Sequence, residues 1–104
     1  MSMKYQLVLQ WSPKEIRGLE ALTAIGDLFK GGLSPAGEIT DRQAGPDGLN
    51  IFIQTNNPEE AFDKIKENLW MYKCWESVRA AHREASGNHF TVLWPKGLTE
   101  FKVK

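Results

Sequence analysis

Polar and apolar positions alternate through residues 4–11, KYQLVLQW. Tyr5, Leu7, Leu9 and Trp11 fall on one side and Lys4, Gln6, Val8 and Gln10 on the other, the period of a half-buried strand. The period then changes. Ser12, Pro13 and Glu15 make a helix start, with serine to cap, proline at the first helical position and glutamate to complete a capping box. Ile16, Leu19, Leu22, Ile25 and Phe29 form the apolar stripe of this first predicted helix, and Gly31-Gly32, after Lys30, predicts its end. Residues 37–55, GEITDRQAGPDGLNIFIQT, read as two strands around the turn Gly45-Pro46-Asp47-Gly48. A second start signal follows, with Asn57 as cap, Pro58 at the first position and Glu60 at the third. The stripe Phe62, Ile65, Leu69, Tyr72 carries that helix.

Residues 74–86, CWESVRAAHREAS, admit two readings. Their propensity favours an extension of the second helix. Such a helix would exceed the roughly 8 to 20 residues usual in globular domains, and SGN before the strand-like HFTVLW signals a hairpin that needs a partner strand. Residues 77–85 are therefore expected to be a strand. The resulting order predicts one α+β domain over residues 1–104, a ferredoxin-like βαββαββ sandwich with both helices on one face of an antiparallel sheet. Residues 98–104 would add at most a short edge segment through Phe101 and Val103.

The hairpin register decides where His82 points. A two-residue turn at Gly87-Asn88 pairs His82 with Leu93, whereas a three-residue loop at Ser86-Gly87-Asn88 sets it opposite Val92. The second gathers Val78, Ala80, Phe90, Val92 and Trp94 on the helix side and is the expectation adopted. His82 then faces the helices, and Arg79 and Arg83 lie on the open face. A lone histidine on an apolar face is more often a satisfied core residue than a catalyst. The arginines read either as solvated charge or as a grip for a carboxylate or phosphate.

Composition narrows the function classes. The hydrophobic share of 41% and charged share of 25% are those of an ordinary folded domain. Thirteen basic and thirteen acidic side chains cancel, so no global field recruits nucleic acid. The expected open face, with Gln6, Val8, Gln10, Asn50, Phe52 and Gln54, offers one aromatic where an RNA-stacking sheet needs two or three. No run approaches the ~20 apolar residues that span a bilayer, and Cys74 has no partner for an intramolecular disulfide, which together predict a cytoplasmic protein. Cys74 reads as a structural thiol rather than a reactive one. The phosphate-loop, dinucleotide, zinc-protease, paired-cysteine and nucleophile-elbow signatures are absent, so no cofactor is expected. No metal is expected either, because His82 and His89 are predicted on opposite faces. Glu59 and Glu60 suit a helix's first turn on structural grounds.

The strand Asn50-Ile51-Phe52-Ile53 leading through Pro58 to Phe62, with the closing Val92-Leu93-Trp94-Pro95, resembles a small family of uncharacterised bacterial single-domain proteins. The resemblance runs from Tyr5 to Phe101 and implies a bacterial origin and no known activity. Relatives of this kind carry an aromatic at the place of His82, which speaks against catalysis there.

The sequence therefore points to a non-catalytic domain that binds a protein, either a second copy in a homodimer or a partner such as a toxin. Phe52, Trp70, Trp75, Arg79 and Arg83 are the candidate contacts, since Trp70 falls off the helix stripe and aromatics anchor interfaces. The alternative is a small enzyme or ligand-binding domain using a cavity between sheet and helices, with His82 and Tyr5 as its polar groups.

Overall fold

The structure, a computed structural model, describes residues 4–103. Strand β1 (Tyr5–Trp11) leads to helix α1 (Gly18–Leu33), strands β2 (Gly37–Ala44) and β3 (Leu49–Thr55), and helix α2 (Pro58–Leu69). A 3-10 turn over Lys73–Ser77 precedes strands β4 (Arg79–Glu84) and β5 (Thr91–Trp94). The described residues are α+β: two helices and a five-stranded antiparallel sheet in the order β2-β3-β1-β4-β5. Leu7, Leu9 and Trp11 of β1 and Leu49, Ile51 and Ile53 of β3 share one buried cluster with Leu22, Ile25, Phe29 and Leu33 of α1 and Phe62, Ile65 and Leu69 of α2. Both helices thus cover the same face, as the strand alternation requires.

The first helix starts later than its capping signal. Ser12 closes only a local turn, its carbonyl accepting from the Glu15 and Ile16 amides and its Oγ from the Lys14 amide. Arg17 is then extended and Gly18 takes φ +78°, a conformation natural to glycine, before the helix begins. The stripe shifts accordingly. Leu19 is 53% exposed, and Leu33, beyond the predicted stop at Gly31-Gly32, is buried in its place. The second start signal behaves as predicted: Asn57 Oδ1 accepts from the Glu60 amide at 3.2 Å, with Pro58 in the first turn. That helix ends at Leu69, so Tyr72 lies outside it and is exposed.

Residues 79–84 form the expected strand, but the hairpin takes neither predicted register. Ala80 pairs with Trp94, as the three-residue loop would have it; a bulge then shifts the ladder, setting Ala81 opposite Val92 and His82 opposite Thr91. Val92 therefore sits on the second face of the sheet, and Phe90 lies in the connecting loop.

That second face is not open. Val8, Asn50 and Ala81 are fully buried and Gln10 and Phe52 nearly so. Residues 98–103 form no strand; they cross the face, where the Lys102 carbonyl accepts from Gln10 Nε2 at 2.8 Å, and Phe101 meets Phe90 at 5.2 Å between ring centres. Gln10 Nε2 also donates to Asn50 Oδ1 at 3.0 Å, which satisfies a buried amide pair between neighbouring strands.

Candidate functional site

The α2 helix hands its last buried residue, Leu69, directly to Trp70, Met71 and Tyr72. The Trp70 amide donates to the Lys66 carbonyl, that of Tyr72 to Leu69, and that of Trp75 to Tyr72, so this turn has a fixed backbone between two buried anchors, Leu69 and Trp75. The three side chains between them are 62%, 63% and 42% exposed. Sequence reading selected Trp70 but missed its neighbours, because it counted Tyr72 as part of the helix stripe. Ending the helix at Leu69 exposes all three at once.

Trp75, the other candidate tryptophan, belongs to the core. Its ring packs with Phe62 (5.5 Å) and Trp94 (5.6 Å), and Lys66 Nζ lies 4.9 Å over the Trp94 ring. Phe52 is buried at the second sheet face and offers no contact surface. Arg79 is exposed. Arg83 is engaged internally, with Nε donating to Gln6 Oε1 at 3.0 Å, Nη1 to the carbonyls of Glu84, Ala85 and Gly87, and its guanidinium resting over Phe90. It braces the β4–β5 loop, so the two arginines form no joint anion grip.

His82 does point to the helix side, opposite Leu7 and Thr91, with its ring edge-on to Tyr5 at 6.0 Å. It does not satisfy a buried hydrogen bond: its Nδ1 is buried without a partner. Burial pushes its pKa below the usual histidine value, and the nearby Glu59 carboxylate partly opposes that. Tyr5, His82, Glu84, His89 and Thr91 line a cleft of about 440 Å³ beside the β4–β5 loop. His89, expected on the opposite face, thus shares this cleft with His82. Among the described residues, no three His, Cys, Asp or Glu side chains gather as a metal site.

Cys74 is half-buried. Burial raises its thiol pKa, against a smaller lowering by a hydrogen bond to its own backbone, and its carbonyl accepts from Trp11 Nε1 at 2.9 Å. This is a structural setting rather than that of a thiolate nucleophile. Among the described residues no helix is long and apolar enough to cross a membrane. Comparison of the chain with protein-family models, with curated proteins and with solved structures gives no match.

Proposed function

We propose that this chain is a non-catalytic, cytoplasmic bacterial protein-binding domain that self-associates through the turn after α2. One observation carries the reading: Trp70, Met71 and Tyr72 stand side by side, exposed, on a backbone fixed by turn hydrogen bonds. Soluble surfaces usually scatter large apolar side chains singly, and a contiguous group marks an interaction surface. Aromatic anchors held in place before binding lose little entropy when a partner covers them.

Charge favours a second copy as that partner. Thirteen basic and thirteen acidic residues leave no net repulsion between copies. The flanks of the turn alternate in sign, with Lys66, Glu67, Lys73 and Glu76, so a two-fold arrangement can set unlike charges against each other around an apolar centre. In this proposal the architecture is a ferredoxin-like sandwich, β2-β3-β1-β4 with two helices on one face, extended by β5 at the β4 edge. The resemblance of its NIFI and VLWP strands to small bacterial single-domain proteins is part of the same reading.

Size-exclusion chromatography with light scattering tests it. At high micromolar concentration the wild-type chain is expected to run as a dimer, and Trp70→Ser/Met71→Ser as a monomer with unchanged circular dichroism. A wild-type chain that stays monomeric throughout removes the proposal.

A further inference from the structure

Strand β2 carries a bulge between Ile39 and Asp41, where its register against β3 shifts. Ile39 pairs with Ile53 and Arg42 with Ile51, both on the helix side, although three positions separate them and strict alternation would turn one away. The bulge thus aims Arg42 at α1. There it meets Gly26, which is buried: a Cβ at that position would lie 3.2 Å from both Nε and Nη2 of Arg42 and 3.4 Å from Ile39 Cδ1. The missing side chain leaves the guanidinium room against the helix.

Among the described residues no partner rewards this placement electrostatically. Arg42 Nε is buried without a hydrogen-bond partner, and no carboxylate among the described residues pairs with the guanidinium. Arg42 as a whole is only partly buried, so it is this one donor, Nε, that is cut off from water and left unsatisfied. The same side chain lines an open cleft of about 690 Å³ between the end of α1 and β2, together with Lys30, Leu33, Ser34, Glu38 and Ile39. Lys30 and Arg42 against Glu38 give the lining one surplus positive charge.

We propose that this cleft binds a small oxyanion, the carboxylate or phosphate group of a small molecule, with Arg42 as its principal contact and Lys30 as a second cation. Arg42 and Lys30 both line the cleft, a guanidinium offers several donors to such a group, and the cleft has the size of a small-molecule site. The bulge and Gly26 are then explained together, as the two devices that hold an unpaired cation at this spot. The site is independent of the exposed turn after α2.

The test is a titration of the isotope-labelled chain with inorganic phosphate and, separately, with succinate, followed by amide and arginine Nε–H resonances at constant ionic strength. Saturable shifts are expected at Gly26, Ile39 and Arg42, caused by one anion or both, and which anion acts identifies the group. Arg42→Gln is expected to weaken binding at least about tenfold, and Lys30→Gln by less. Gly26→Ala, which crowds the guanidinium, should weaken it while leaving Lys30 in place. Absence of saturation with either anion up to tens of millimolar overturns the proposal. Equal binding by wild type and a folded Arg42→Gln overturns it as well.

Discussion

The surroundings of His82 favour its neutral imidazole. Protonating the ring would place an N–H donor at Nδ1, where no acceptor reaches it, and would charge a half-buried group against Leu7 and Tyr5. The Glu59 carboxylate, in the first turn of α2, favours the charged form but is the lesser influence. The folded-state pKa therefore lies below 6.5, the ordinary value taken for the unfolded chain. Above that pH both states are neutral and the contribution of His82 to stability is complete. As the pH falls from 6.5 through the folded pKa, the unfolded chain takes up the proton first and stability is lost. His82→Phe removes both the orphaned nitrogen and this linkage. Urea unfolding at pH 7.5 should show the variant more stable by about 1 kcal/mol, and the margin should widen at pH 5.5. A margin that narrows on acidification would mean that protonation is welcome in the fold, against the geometry described.

At the scale of elements, α1 shows how tertiary contact separates two residues that look alike. Gly31 and Gly32 both lie in its last turns. A Cβ at Gly31 meets nothing within 4 Å, whereas one at Gly32 would fall 2.4 Å from Nδ2 of Asn68, a side chain that donates to the Lys64 carbonyl on α2. Gly31→Ala should therefore add the helix-propensity gain of about 0.5–1 kcal/mol. Gly32→Ala should gain nothing or lose stability, because Asn68 must leave its hydrogen bond to make room. Denaturant midpoints of the two variants decide this; equal stabilisation would refute a close approach of α1 and α2 at Gly32. In sequence the pair read only as a helix stop, since the partner that distinguishes them lies 36 positions away in α2. The two capping signals diverge for a similar reason. Asn57 starts a helix as its pattern says, while the Ser12 turn is followed by an extended Arg17 and lets Ile16 pack on the core before the helix begins. Strand identities, the Gly45–Gly48 turn and the second helix were legible because each is encoded within a few residues. The β4–β5 register was not, because a bulge and the bracing of the loop by Arg83 set it, and neither leaves a local signature.

At the scale of the whole molecule, the least legible feature is the second face of the sheet. Gln6, Val8, Gln10, Asn50, Phe52 and Gln54 alternate as a wet face should, and strand patterning alone assigns them to solvent or to a partner. The amides proved misleading. Gln10 and Asn50 are buried because they bond each other, and Gln10 also bonds the Lys102 carbonyl, so polar residues line a face that the chain covers itself. The cover joins positions 92 residues apart, Gln10 and Lys102, beyond the reach of any periodicity. Its removal should be costly in a specific way. A chain ending at Gly97 keeps both helices and all five strands, but leaves Gln10 one acceptor short and Phe90 without Phe101. Lost burial and the broken hydrogen bond together should lower unfolding stability by about 2 kcal/mol. Far-UV circular dichroism should stay close to that of the full chain, while binding of a hydrophobic dye rises as Val8, Phe52 and Ala81 become accessible. Phe101→Ser should produce the same changes in smaller measure, since it keeps the backbone contact to Gln10. If the shortened chain matched the full one in both stability and dye binding, the segment would be an ornament on the sheet rather than its second layer.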